Sequence, residues 1–351
     1  MNKIKLCVLF GGRSSEYEVS LASAYSVLTN ADPAKYEILP VGITKDGAWL
    51  LYTGDYQKIR DGSWCENAGT LSRVTVDLTP GSHALLICPP NGAPYAETVD
   101  VVFPVLHGAY GEDGTVQGML ALTEIPFVGC GCASSSVCMD KSLTKLCVAE
   151  TGIRQAVHVL VRKEDTEDDC IREAETGLNY PMFVKPARAG SSVGISKVRS
   201  RNELKRALAI AFAEDSKVVI ENTVIGREIE VAVLEEHGTY TVSDCAEIDA
   251  GAEFYDYDAK YVNTTSTFYI PARLPEETRE AVRRCAKKIF KALDCRTLAR
   301  VDFFVTENGT IVFNEINTIP GFTEISMYPK LMMAAGLTYP ELIDRLIASA
   351  R

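Results

Sequence analysis

The chain has 351 residues, 46% hydrophobic and 24% charged, with 36 basic against 47 acidic side chains and a formal net charge of −11. That is an ordinary globular composition, long enough for two or three domains. The acidic balance argues against a nucleic-acid footprint, and no apolar run approaches the length of a membrane span.

Eleven cysteines show neither metal-ligand nor disulfide spacing, Cys130 and Cys132 being the closest pair, so reduced thiols in the cytoplasm are expected. The opening MNKIKLCVLFGG carries too short an apolar run for a signal peptide. KIKLCVLF followed by GGRSSEYEVSLASAYSVLTN predicts strand, glycine turn and helix. YEILPVGITKDGAWLLY predicts strands about a Lys45-Asp46-Gly47 turn, VDVVFPVLHG a buried strand, and TVQGMLALTEI a helix ended by Pro126. This alternation implies a small α/β domain with parallel strands over residues 1–129.

The character then changes. DKSLTKLCVAETG reads as helix, MFVKPARAGSSVGISKV as two strands around a glycine-rich loop, RNELKRALAIAFAED as an amphipathic helix and KVVIEN as a strand, giving a second unit over 130–223. From Val224 antiparallel strands dominate a third unit, 224–351, interrupted by the polar, aromatic FYDYDAKYVNTTSTF. It also holds a helix EETREAVRRCAKKIFKAL and a closing helix PELIDRLIASA. The expected class is therefore one α/β unit followed by two α+β units.

Two segments near the end, ARVDFFV and VFNEINTIPGF, flank Asn308-Gly309, a strong hairpin signal. A two-residue turn there sets Glu307 against Thr310, and counting outward sets Asp302 against Glu315 and Arg300 against Asn317 on one face. Directly opposed Cβ atoms lie about 5 Å apart, where like charges destabilise the pair. Asp302, Glu315 and Asn317 offer hard oxygen ligands suited to Mg²⁺. The other reading is a solvated hairpin with Arg300 neutralising one acid.

The remaining candidates each carry two readings. AGSSVG, residues 189–194, lies between strands and lacks the Walker pattern. It is either a plain turn or a loop whose backbone N–H groups, with Lys185 just before it, bind phosphate. Glu16 and Glu18 open the first helix, and Ser15-x-x-Glu18 fits a capping box; a Glu at the mouth of an α/β domain can instead bind an amine. LHGAYGEDGT places His107, glycines and acids beyond a buried strand, where ligands bind α/β sheets. Glu221, Glu228 and Glu230 fit a solvated strand face as well as a site. Lys260-Tyr261 belongs to either a lid or an ordinary surface loop.

GGRSSEYEVSL, LHGAYGEDGTVQG, MDK, YPMFVKPARAGSSVGISKV, FYDYDAKY, ARVDFF and NEINTIPGFT together resemble, in this order and across essentially the whole chain, the D-alanine–D-alanine ligases. GITKDGAW and YPKLMMAAGLTYPELIDRLI are most similar to the glycopeptide-resistance branch, the D-alanine–D-serine ligases of the VanG type. The resemblance implies an ATP-grasp fold with ATP between the central and C-terminal units. It implies ligation of D-alanine to D-serine through D-alanyl phosphate for peptidoglycan precursors and vancomycin resistance. Housekeeping D-alanine–D-alanine ligation and a non-catalytic nucleotide-binding regulator are the alternatives. It further implies a homodimer without nucleic-acid or membrane partners.

By matched motif, the resemblance puts Lys141 and Lys185 on phosphates under the loop carrying Ser191 and Ser192. Glu221 and Val224 fall at adenine and Glu228 at ribose. Asp302, Glu315 and Asn317 fall on two Mg²⁺ ions, with Mn²⁺ as a substitute. Glu18 would meet the ammonium of the first D-alanine, linked to Ser191 and Tyr261, while Lys260 meets the γ-phosphate. Arg300 and the Gly321 N–H would stabilise an oxyanion, and Ser326 would orient the second substrate's carboxylate. Met327 departs from the Leu common in D-alanine-specific members.

Overall fold

The computed structural model describes residues 3–249 and 267–351. The apolar run after Lys3 forms β1 (Ile4–Gly11), followed by the helix Tyr17–Asn30 and the strands β2 (Tyr36–Ile43), β3 (Trp49–Tyr52), β4 (Leu71–Val76), β5 (Ala84–Cys88), β6 (Tyr95–Thr98) and β7 (Val101–Pro104). They build one sheet in the order β6-β5-β4-β3-β2-β1-β7. Only β2, β1 and β7 are parallel; the pairs from β2 to β6 are antiparallel. The expectation of parallel strands holds for the buried end of the sheet alone. Parallel pairing needs a long crossover, which the helix supplies, whereas the short turn at 44–48 can only reverse the chain.

Next come β8 (Arg154–Gln155), β9 (His158–Arg162), β10 (Met182–Pro186), β11 (Ser196–Val198) and β12 (Lys217–Asn222). Of these, β11-β10-β12-β9 form a four-stranded antiparallel sheet. Helices Glu167–Gly177 and Arg201–Glu214 pack on it through Ile171, Ala174, Leu204, Leu208 and Ala211. Each begins at a side-chain cap, Thr166 and Ser200 accepting the N–H of Asp169 and Glu203.

The third sheet uses β13 (Arg227–Glu236), β14 (Thr239–Val242), β15 (Ala246–Asp249), β16 (Thr267–Tyr269), β17 (Leu298–Val305) and β18 (Ile311–Asn317). Its order is β16-β15-β13-β17-β18-β8, with β14 beside β13. Helix Glu276–Ala292 covers one face with Val282, Ala286, Ile289 and Phe290, a helical stripe that reads directly from the sequence.

The division expected at residue 130 is crossed by the packing. Cys130, Cys138 and Val148 join the core of the third sheet, and β8 pairs with β18. Residues 130–155 therefore lie with the C-terminal unit, because their apolar side chains match its uncovered face. Helices Met327–Ala334 and Tyr339–Ser349 in turn share one core with the first sheet and its helix, through Tyr328, Leu331, Leu342 and Leu346.

That shared core is tightly filled. Trp64 is fully buried, and a Cβ at Gly42 on β2 would overlap its ring. Gly42→Ala is expected to cost about 1–3 kcal/mol by overpacking. Thermal unfolding should then shift down by several degrees, and an unchanged melting temperature would show that the Trp64 packing has slack.

Candidate functional site

All three sheets open onto one cleft of about 1720 Å³. Its floor is the hairpin of β17 and β18. Asp302 pairs with Glu315 and Arg300 with Asn317, the register expected from sequence. The turn that produces it is different. Thr306 N–H donates to Thr310 O at 3.0 Å, and Gly309, at φ +78°, closes a three-residue loop. Pairing then runs Val305–Ile311 to Phe303–Phe313, before a bulge between Asp302 and Phe303 lets β18 absorb one extra residue, Asn314. The longer loop and the bulge offset each other, so the expected pair is reached by a different path.

The floor is buried, which excludes the solvated-hairpin reading. Asp302 is 2% exposed and Glu230, opposite it on β13, is 4% exposed. Arg300 lies between them, its Nε 3.1 Å from Glu230 and its Nη2 2.8 Å from Asp302. Asn317 Nδ2 donates to Asp302 at 3.0 Å. Burial opposes the charge on Arg300, but Asp302 and Glu230 hold the guanidinium protonated. Glu230, Asp302 and Glu315 thus lie in one row, and the carboxylate oxygens of such a row are hard donors of the kind that suits divalent cations. Among the described residues no group of three His, Cys, Asp or Glu is arranged to hold a metal by itself. Two acids, an amide oxygen and phosphate oxygens from a ligand would complete a Mg²⁺ shell, so the donor set fits.

A second wall comes from the four-stranded sheet. Glu221 is buried between two lysines, with Lys145 Nζ at 2.9 Å and Lys185 Nζ in direct contact. Burial pushes Glu221 up, but the two ammonium groups outweigh it and hold the carboxyl at about 2. Lys145 stands four residues after Lys141 on the helix Lys141–Ala149, a spacing that puts both on one face and that sequence reasoning passed over. Lys141 Nζ donates to Ala189 O at 2.8 Å, tying it to the glycine-rich loop. In that loop Ser191 and Ser192 adopt left-handed backbone, φ +46° and +61°, uncommon for non-glycine residues and typical of strain kept at functional loops. Val224 and Glu228 also line the cleft.

The acid at the mouth of the first sheet is Glu16. The Ser191 hydroxyl donates to its Oε1, and a Cβ at either Gly108 or Gly190 would intrude on its Oε2. Glu18 also lines the cleft, but its side chain is 63% exposed and pairs with Lys45 at 2.6 Å. The expected capping box does not form: the helix starts at Tyr17 with Glu16 as its N-cap residue. Glu16 continues the buried stripe of Ser20, Ser23 and Val27, whereas Glu18 shares a face with Ala22 and Tyr25. That periodicity was the signal that separates them. Glu112 is a further acid lining the cleft, pushed up to about 8 by burial and by Glu16 despite two backbone N–H bonds.

The last wall is the segment after β18. Ser326 precedes the helix Met327–Ala334, and its Oγ accepts from Thr323 N at 3.0 Å and lies 2.7 Å from Thr323 Oγ1. Gly321 packs so closely that a Cβ would meet Ser326 Oγ. Met327 is 6% exposed and belongs to the shared core. Lys260 and Tyr261 lie outside the described residues. Among the described residues no helix is long and apolar enough to cross a membrane.

Residues 5–130 match the model described as D-ala D-ala ligase N-terminus, and residues 147–348 the model described as D-ala D-ala ligase C-terminus. The chain is 48% identical to a D-alanine–D-alanine ligase of Caldicellulosiruptor bescii, covering 100% of this chain and 96% of that protein. It is 48% identical to one from Acetivibrio thermocellus, covering 99% and 95%. Among solved structures it superposes on the VanG D-Ala:D-Ser ligase from Enterococcus faecalis with TM-score 0.91, 42% identity and full coverage of both chains. The D-alanine–D-alanine ligase from Coxiella burnetii follows with TM-score 0.86, 34% identity, and 100% and 94% coverage. The chain belongs to the D-alanine–D-alanine ligase family, ATP-dependent ligases of the ATP-grasp fold.

The two candidate acids separate by mutation. Glu16→Gln should lower D-alanine-dependent ADP release by about 100-fold or more, as expected when a positioned charge at the reacting substrate is lost. Glu18→Gln should stay within about twofold of the parent, since it breaks only an exposed ion pair. The reverse pattern in steady-state assays would return the site to Glu18.

Proposed function

We propose that the chain joins two molecules of D-alanine, with ATP cleaved to ADP and phosphate. The observation that carries this reading is its 48% identity, over nearly the whole length of both chains, to relatives named D-alanine–D-alanine ligase. A D-alanine carboxylate attacks the γ-phosphate of ATP and gives D-alanyl phosphate. The amine of the second D-alanine attacks the acyl carbon, and phosphate leaves.

The residues divide the work as follows. Glu16, held by Ser191, receives the ammonium of the first D-alanine. Lys141, Lys185 and the N–H groups of the loop with Ser191 and Ser192 hold phosphates, with Glu221 and Lys145 fixing Lys185 in place. Val224 and Glu228 face the nucleoside. Arg300 and the Gly321 N–H stabilise the oxyanion, a role suited to a cation that stays protonated and donates from a rigid plane. Ser326 orients the second carboxylate. Asp302, Glu315 and Asn317 would hold Mg²⁺, which supplies charge neutralisation for the transferring phosphoryl group. Lys260 and Tyr261 are assigned to a closing lid that keeps water from the acyl phosphate.

A second reading, D-serine as the second substrate, is favoured by the full-length likeness to the VanG enzyme. The side chain expected to accommodate the extra hydroxyl supports it less. Met327 is packed into the core and offers no strong hydrogen bond.

A competition decides between them. With ATP, D-alanine and equimolar D-serine or D-lactate, mass analysis should find mostly D-alanyl-D-alanine. Mostly D-alanyl-D-serine would establish the second reading, mostly D-alanyl-D-lactate would remove the amine nucleophile, and no ADP under any mixture would refute ligation. In the same assay Glu315→Gln should abolish turnover at all Mg²⁺ concentrations while the melting temperature holds. Normal turnover with the usual Mg²⁺ dependence would withdraw the metal assignment.

A further inference from the structure

Three side chains of the first unit, Ser23, His107 and Glu112, meet the segment that runs from Asn317 to Phe322. Ile319 is held at both of its peptide groups. Its N–H donates to Glu112 Oε1 at 3.0 Å, and its carbonyl oxygen lies 2.9 Å from His107 Nδ1. Three residues on, Phe322 N–H donates to Ser23 Oγ at 3.1 Å, and Ser23 Oγ lies 3.0 Å from His107 Nε2.

The directions of these bonds are forced. A carbonyl oxygen only accepts, so Nδ1 carries the imidazole proton. Burial keeps the ring neutral, so Nε2 accepts the Ser23 hydroxyl proton and the Ser23 oxygen is left to accept from Phe322. The other Glu112 oxygen takes the Gly108 N–H at 2.9 Å. The N–H groups of Gly108, Ile319 and Phe322, the His107 ring N–H and the Ser23 hydroxyl therefore each meet an acceptor. His107 also reaches the first-substrate acid: its backbone oxygen accepts the Ser14 hydroxyl at 2.7 Å, and Ser14 Oγ accepts Glu16 N–H at 3.1 Å.

Between the two pinned residues lie only Pro320 and Gly321. Proline fixes its own φ and has no N–H to offer. With Ile319 and Phe322 fixed by the first unit, the single remaining N–H, that of Gly321, has little freedom left in where it points.

We propose that Ser23, His107 and Glu112 are positioning residues that set the direction of the Gly321 N–H. They thereby place the acyl-transfer step under the control of the unit that binds the first substrate. The inference rests on the assignment of Gly321 to the oxyanion under the proposed function, and part of its test is independent of activity.

Ser23→Ala, Glu112→Gln, His107→Leu and His107→Asn are compared with the parent. Glu112→Gln replaces one acceptor oxygen by an amide N–H that opposes a backbone donor. Asn can return an N–H near the position of Nδ1, whereas Leu cannot. Dipeptide formation should fall about 10- to 100-fold in Glu112→Gln and His107→Leu, the scale expected when a reacting group is displaced by about 1 Å. The KM for ATP should stay within about twofold in the same variants, because uniform binding is untouched. ADP should exceed dipeptide as misdirected acyl phosphate is lost to water, and His107→Asn should recover part of the coupling. A merely structural role would instead lower the melting temperature and leave ADP and dipeptide one to one, which would overturn the proposal.

The independent arm uses hydrogen exchange and ¹⁵N-labelled histidine. Amide exchange across 317–322 should quicken in Ser23→Ala and Glu112→Gln, and His107 should carry its proton on Nδ1. Unchanged exchange, or a proton on Nε2, would overturn the clamp whatever the enzyme makes. Parent enzyme that shows the clamp but forms no dipeptide would refute the proposed function instead.

Discussion

Arg300 is the constraint on which the floor of the cleft depends. Three strands bring Glu230, Asp302 and Glu315 into one row across β13, β17 and β18, and burial of two of those acids forbids solvent from neutralising them. Breaking a buried pair by removing one partner is strongly destabilising, by about 3–5 kcal/mol, because an uncompensated charge remains. Arg300 meets both buried acids at once: its Nε and Nη2 donate to Asp302, and the same guanidinium lies 3.1 Å from the Glu230 carboxylate. The residue that makes the row foldable therefore also fixes where its carboxylates stand.

That row was largely legible in the sequence, through a wrong intermediate. Alternation along ARVDFF and FNEIN placed Asp302, Glu315, Arg300 and Asn317 on one face, and Asn308-Gly309 marked the hairpin. What the sequence did not show was the three-residue loop closed by Gly309 and the extra residue at Asn314. Both are local backbone choices: Asn308-Gly309 serves a two-residue or a three-residue loop, and a bulge leaves no compositional mark on an apolar strand. Each shifts the pairing by one residue, in opposite senses, so the face was right although the turn was not.

Glu16 was less legible for a different reason. A capping box is a pattern of four neighbouring residues, and Ser15-x-x-Glu18 satisfies it. Which acid turns inward depends on what lies over the end of the helix, namely Ser191 and Gly190 from a loop about 175 positions away and Gly108 from the turn after β7. Glu221 shows the same limit. Its strand was evident, but its burial between Lys145 and Lys185 depends on a helix that packs with the third sheet as it reaches back to the second. Periodic segments announced themselves, as in Glu276–Ala292; contacts between units did not.

Those contacts give the cleft its physical logic. Glu16 comes from the first unit, its hydrogen-bond donor Ser191 from the second, and the floor from the third. Only glycine at 108 and 190 lets the backbone approach the Glu16 carboxylate so closely. A carboxylate can accept several hydrogen bonds, so an ammonium group arriving at Glu16 need not displace Ser191. It adds a partner to the same acid that holds the strained Ser191–Ser192 loop over Lys141 and Lys185. A ligand that strengthens this acid's hold on the loop shifts the loop toward its closed position by as much as it favours that position. Under the proposed assignment, ammonium binding at Glu16 and enclosure of phosphates by the loop would favour each other through this one side chain.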